Sequence, residues 1–175
     1  PYRETDTVRP LSVYARHKVE CEQVIQTLYD NVLILRIGSV YGDEERGKNF
    51  IIRIINDVES GREWTMRLPI DQYSTPVNAY DVARCSLLLI NDDKRGIYHL
   101  GSTDYLNRVQ LAHRVLAYLS DHKCSIIAQN TSDLSQKAGR PLRGGLSAHK
   151  FLSEYPSFQF TNVDDYMKSK GYSIA

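Results

Sequence analysis

The run Val32-Leu33-Ile34-Leu35-Arg36-Ile37 is apolar at five of its six positions and rich in β-branched residues. It lacks the in-out alternation of a strand with one wet face. A run of this kind suits a strand covered on both faces, as in a parallel sheet sandwiched between helices. Such a strand needs long crossover connections, so helical patterns should stand on either side of it.

They do. Leu11 to Tyr29 repeats Val13, Val19, Val24, Ile25 and Leu28 at near-helical spacing, and Asp30-Asn31 breaks the pattern. After a loop from Gly38 to Lys48, Asn49 is placed to cap a helix carrying Phe50, Ile51, Ile54, Ile55 and Val58, which ends at Gly61. A short strand is expected at Trp64–Leu68, a helix at Asn78–Ile90, a strand at Gly96–Leu100 and a helix at Asn107–Leu119. A last strand at Ser125–Ala128 precedes a polar loop, Gln129 to Gly145, and two short helices near Ser147–Glu154 and Asn162–Lys170. Helices and strands alternate without an internal repeat, which makes the fold class α/β.

Composition excludes several functions. A net charge of +1 over 175 residues gives no basic surface for nucleic acid. No apolar run approaches the roughly 20 residues that span a bilayer, so no membrane partner is expected. Cys21, Cys85 and Cys124 are odd in number and lack CxxC or metal-ligand spacing, which fits a reduced, cytoplasmic protein with no metal site. The Asp121-His122-Lys123-Cys124 cluster has no partner at ligand spacing.

Chemistry concentrates in Tyr14-Ala15-Arg16-His17-Lys18. On a helix, residues four apart share a face, so Tyr14 and Lys18 are neighbours. An ammonium beside a phenol stabilises the phenolate and improves the phenol as a proton donor. Alone, the spacing also describes an ordinary surface pair. The bland reading applies to other residues too: His99 as a hydrogen-bonded strand residue, His17 as an exposed helix residue, and Trp64 as core or pocket wall.

The surrounding residues add specificity. Pro1-Tyr2-Arg3-Glu4-Thr5-Asp6, Pro10-Leu11-Ser12-Val13-Tyr14, Lys18 and Glu22 resemble the catalytic segment of dTDP-4-dehydrorhamnose reductase-like proteins, members of the extended short-chain dehydrogenases/reductases. Leu35-Arg36 and Val40-Tyr41-Gly42 resemble the next strand and its nicotinamide-side loop. Gly47-Lys48-Asn49-Phe50 is similar to the family's Gly-x-Asn-Phe helix start. Asp71-Gln72, Pro76 and Asp81-Val82-Ala83 match its Asp-Gln loop and following helix, and Gly96–Leu100 the strand after that helix. Arg140-Pro141, Leu146 and Lys150 match its late Arg-Pro loop. All run in family order.

The resemblance implies the C-terminal portion of a Rossmann-like fold: residues 1–48 as catalytic helix, strand and loop, and residues 49–175 as mostly a small mixed α/β substrate-binding subdomain. It implies NADP(H) or NAD(H) as cofactor and a 4-keto nucleotide sugar as substrate. Tyr14 would protonate the ketone, and Lys18 would hold the nicotinamide ribose. Tyr14, Lys18, Arg36 and Val40 would face the cofactor, and Ser39, Asn49, Phe50, Gln72 and Arg140 the substrate. Arg140, with Arg143, could fork onto a diphosphate. Glu22 would support structure.

Departures from the family pattern are local. Ser39 stands where the reductases carry a tryptophan, Ser74 and Val77 replace Gly and Thr, and Leu142-Arg143-Gly144 replaces Asn-Ser. No Gly-x-x-Gly-x-x-Gly turn is present, because Gly144-Gly145 follows no strand and opens no helix. The sequence opens at Pro1 inside a charged loop, so an upstream dinucleotide-binding part is the expected intramolecular partner, and the chain alone is expected to be inactive. A homodimer is also possible. Two further function classes fit the same residues: a non-catalytic regulatory subunit like the β subunit of methionine adenosyltransferase, and a nucleotide-sugar epimerase or dehydratase.

Overall fold

The computed structural model describes residues 1–174. In chain order the elements are α1 (Val13–Leu28), β1 (Leu33–Ile37), β2 (Val40–Tyr41), α2 (Phe50–Glu59), β3 (Trp64–Pro69), β4 (Tyr73–Ser74), β5 (Val77–Asn78), α3 (Ala79–Asn91), β6 (Gly96–Leu100), β7 (Leu106–Asn107), α4 (Arg108–Leu116), β8 (Cys124–Gln129), a 3-10 turn (Thr131–Asp133), α5 (His149–Glu154) and α6 (Val163–Ser169). The long helices and strands fall where the periodicity puts them. The two-residue strands β2, β4, β5 and β7 were not foreseen, because two residues are too few to show a period of two.

Side-chain caps set the helix starts. Ser12 caps α1, and Asn49, Asn78, Asn107 and Asn162 each accept a hydrogen bond from a first-turn backbone N–H of α2, α3, α4 and α6. Asn107 and Gln110 complete a reciprocal capping box on α4.

Two parallel ladders organise the chain. β1 pairs with β6 in the register Leu33↔Gly96 to Ile37↔Leu100, and β3 pairs with β8 from Trp64↔Cys124 to Pro69↔Gln129. β2 pairs parallel with β5, and β4 antiparallel with β7. One apolar core lies around β6, α3 and α5, with Cys85, Leu89, Leu100 and Phe151 fully buried and Leu33 and Leu35 of β1 packed against it. The other gathers Ile51, Ile54, Leu111, Val115, Val163 and Met167 from α2, α4 and α6 over β3 and β8. The β1–β6 ladder therefore crosses the boundary expected at residues 48/49.

In this chain β1 is half-buried, and its last residue, Ile37, is 45% exposed. Among the described residues it has one paired edge, toward β6. The helix beside it, α1, buries none of its residues. An uninterrupted apolar run reports what a strand can tolerate on its faces; neighbouring elements decide how much is covered.

Candidate active site and anion cleft

Ser12 caps α1 through its hydroxyl, 3.2 Å from the Ala15 N–H, and so fixes where the helix begins. Tyr14 is consequently in the first turn, 71% exposed. Lys18 is one turn on, its ammonium 5.6 Å from the centre of the Tyr14 ring. Both side chains are open to solvent on one ridge.

The same ridge continues to Glu22, whose carboxylate accepts a bidentate pair from Arg36 of β1, with Nη2 at 2.6 Å and Nε at 3.0 Å. Arg36 Nη1 lies 3.3 Å from His99 Nε2, and His99 Nδ1 lies 3.0 Å from the Tyr2 carbonyl. The Glu4 carboxylate accepts from the His99 backbone N–H at 2.8 Å. Arg36 and His99 are register partners in the β1–β6 ladder, so this chain of contacts ties α1 and the N-terminal segment to the sheet. His99 is a buried, hydrogen-bonded strand residue.

An open cleft of about 630 Å³ lies beside Tyr14, lined by Leu11–Tyr14 and Arg16 on one side and by Lys137–Arg140 on the other. Residues 126 positions apart thus line one cleft, because the loop after β8 returns across the start of α1.

Beyond Arg140 the charge is positive. Arg108 opens α4, half-buried, with its guanidinium 5.0 Å from the centre of the Phe50 ring and Nη2 3.3 Å from the Ser39 hydroxyl. Arg53 approaches the same ring at 6.0 Å. Burial, then the nearby Arg53 and Arg140 charges, hold the Arg108 pKa below the ordinary guanidinium value. Among the described residues none of these three arginines forms an ion pair. Helix N-termini carry partial positive charge and disfavour cations, yet Arg108 occupies the first position of α4 and Arg53 lies one turn into α2. A half-buried cation beside two others is costly unless an anion joins them.

The other expected residues divide clearly. Ser39 and Phe50 contact Arg108, and Arg140 lines the cleft. Asn49 caps α2 and donates from Nδ2 to the Gly42 carbonyl at 2.9 Å. Val40 lies in β2 opposite Val77. The Gln72 amide donates to the Thr131 hydroxyl and to Gln136, both at 3.0 Å. Arg143 bridges to Tyr73 through the backbone. Arg53 and Arg108 were not foreseen, although Arg108, directly after the Asn107 cap, was a legible signal.

Parallel strands joined by helical crossovers, with a Tyr/Lys ridge at the start of the helix before β1, are features of Rossmann-like extended short-chain dehydrogenases/reductases, and solved structures of that class share the fold. The dTDP-4-dehydrorhamnose reductase from Bacillus anthracis in complex with NADP aligns over 96% of this chain and 58% of its own, with a TM-score of 0.83 and 21% identity. Residues 1–164 match the family described as RmlD substrate binding domain, and the chain belongs to that family. It is 27% identical over 154 residues to the spore coat polysaccharide biosynthesis protein SpsK of Bacillus subtilis, covering 88% of this chain and 52% of that protein. It is 33% identical over 110 residues to dTDP-4-dehydrorhamnose reductase of Sinorhizobium fredii, covering 59% of this chain and 36% of that one. It is also 27% identical over 117 residues to methionine adenosyltransferase 2 subunit beta of Xenopus laevis, covering 64% and 35%. The chain spans about half the length of SpsK.

Proposed function

We propose that the protein carrying this chain reduces the keto group of a nucleotide-linked 4-keto sugar, with NADP(H) or NAD(H) as cofactor. The observation that carries this reading is the cleft lined by both Tyr14 and Arg140, with the Arg108 and Arg53 charges close enough to be felt together with that of Arg140. A nicotinamide dinucleotide, when bound, supplies the hydride. Of the residues assigned to it, Tyr14 and Lys18 are free to make contact, whereas the Arg36 guanidinium is occupied by Glu22 and His99. Contacts to the pyrophosphate belong to a glycine-rich turn that this chain does not contain.

The residues of this chain then have separable tasks. The Tyr14 phenol donates its proton to the carbonyl oxygen as the alkoxide forms. The Lys18 ammonium hydrogen-bonds the ribose hydroxyls and stabilises the phenolate left behind. Arg140, Arg108 and Arg53 supply donors for a diphosphate, the charged part of such a substrate, whose two negative charges offset most of the three guanidiniums. The three cysteines are free thiols, which fits the cytoplasmic location proposed here.

Tyr14→Phe in the intact protein tests the reading. With NADPH and a dTDP-linked 4-keto sugar, kcat should fall by about 10²–10⁴-fold while dinucleotide affinity stays unchanged. A loss below about tenfold would remove Tyr14 as general acid. A second reading, a regulatory subunit, is favoured by the similarity to methionine adenosyltransferase 2 subunit beta. On that reading the wild type shows no reductase turnover at all.

A further inference from the structure

The loop that carries Arg140 is pinned from one place. Asp71, Gln72 and Tyr73 lie just after β3, and together they hold several points of the segment that follows β8. The Asp71 carboxylate accepts from the Thr131 hydroxyl at 2.6 Å and from the Thr131 backbone N–H at 3.1 Å. The Thr131 hydroxyl accepts in turn from the Gln72 amide, which also donates to the Gln136 side chain. On the far side, the Tyr73 N–H donates to the Leu142 carbonyl at 2.7 Å, and the Gly144 N–H donates to the Tyr73 carbonyl at 2.9 Å.

Between these anchors lies Lys137–Pro141, a strap whose closest neighbour is the start of α1. A Cβ on Gly139 would come within 3.0 Å of the Leu11 carbonyl oxygen, so the strap rests on the backbone three residues before Tyr14. Arg140 is the next residue, and it lines the cleft opposite the phenol. The hydrogen-bond partners of the Asp71 and Gln72 side chains, Thr131 and Gln136, belong to the strap's root, so neither side chain needs a ligand to be satisfied. The Thr131 hydroxyl, the main cause, holds the Asp71 carboxyl pKa below its ordinary value, as expected for a carboxylate that accepts these hydrogen bonds.

We infer that Asp71 and Gln72 are positioning residues: through Thr131 and Gln136 they set the Lys137–Arg140 strap against α1 and place Arg140 across the cleft from Tyr14. This assigns Gln72 a role behind the substrate contact instead of in it, and adds Asp71, Thr131 and Gly139 to the residues on which the cleft depends. The inference rests on the reading of the cleft given under the proposed function only where it concerns substrate affinity. The placement of the strap does not depend on it.

The experiment uses the intact protein with Asp71→Ala, Thr131→Val, Thr131→Ser and Arg140→Ala. Tryptic cleavage after Lys137 under native conditions reports strap release. It should accelerate by at least about threefold in Asp71→Ala and Thr131→Val, and stay near wild type in Thr131→Ser, which keeps the hydroxyl. KM for the nucleotide sugar should rise roughly tenfold in Asp71→Ala and Thr131→Val, with kcat within about twofold. In an Arg140→Ala background, Asp71→Ala should add nothing to KM. Unchanged cleavage in both Asp71→Ala and Thr131→Val overturns the inference, as does a KM effect of Asp71→Ala that adds in full to that of Arg140→Ala. If Arg140→Ala alone leaves KM unchanged, the anion reading of the cleft fails, and the cleavage rates alone decide whether Asp71 and Thr131 hold the strap.

Discussion

Replacing Arg108 by methionine separates a binding role from a packing role, because the two predict opposite signs in two measurements. Methionine keeps most of the apolar stem that lies against Phe50 and removes the charge. A like charge sharing the Phe50 ring with Arg108 costs on the order of 2 kcal/mol at an effective dielectric near 20. Two like-charged neighbours would cost roughly 4 kcal/mol, and solvent around the exposed Arg53 and Arg140 reduces this to about half. Against that relief stand the cation–π contact with Phe50, about 0.5–1 kcal/mol, and the long hydrogen bond to Ser39, about 1 kcal/mol or less. The ligand-free variant should therefore be as stable as wild type or up to about 1.5 kcal/mol more stable. At roughly 2–4 °C per kcal/mol, the unfolding midpoint stays level or rises by up to about 6 °C. Binding moves the other way. Losing one charged hydrogen-bond donor to a diphosphate costs about 1.5–3 kcal/mol, a weakening of about 10- to 150-fold. At a dTDP or UDP concentration 100 times the wild-type Kd, ligand stabilises wild type by about 2.7 kcal/mol. The same concentration should stabilise the variant by only about 0.3–1.4 kcal/mol. Thermal unfolding with and without the nucleotide reads both quantities. A ligand-free midpoint that falls, together with a nucleotide shift equal to wild type, would refute the anion site and leave Arg108 as a packing residue.

Three further outcomes test other parts of the molecule. Phe151 is fully buried, with Tyr155, Phe158 and Phe160 centred 4.8, 5.1 and 5.8 Å from its ring. Phe151→Ala should lower stability by about 3–5 kcal/mol in chemical denaturation, and a loss under about 1 kcal/mol would show that α5 is not anchored there. Lys94, its main partner, holds the Glu154 carboxyl below the ordinary value, so its stabilising contribution is full above the unfolded-state pKa and disappears as pH falls through the lowered one. Wild type should accordingly melt higher than Glu154→Gln at pH 7, with the gap narrowing as pH falls below the ordinary Glu value of about 4.3; a gap that stays constant down through the acid range contradicts the assignment. Replacing the Asn107 cap by alanine should lower the midpoint by the equivalent of about 1 kcal/mol, read by calorimetry, and no change would mean that the capping box is redundant with tertiary packing.

The sequence by itself determined what depends on neighbours along the chain. Helical spacing from Val13 to Leu28, the apolar run of β1, the asparagines that open α2, α3, α4 and α6, and the Tyr14/Lys18 ridge all follow from interactions within about four residues, and each was legible. Order along the chain also made the family recognisable. Tertiary structure alone decided what depends on residues far apart. Arg36 and His99 became partners because two strands align in register across 63 positions. Arg140 met Tyr14 because the loop after β8 folds back over α1, held by Asp71 and Gln72 some 60 positions upstream of their partners. Arg53 and Arg108 joined it because the starts of two helices converge on Phe50. Local patterns carry no information on such convergence: a guanidinium looks alike in sequence whether solvent, a carboxylate or another guanidinium surrounds it, and only packing fixes which.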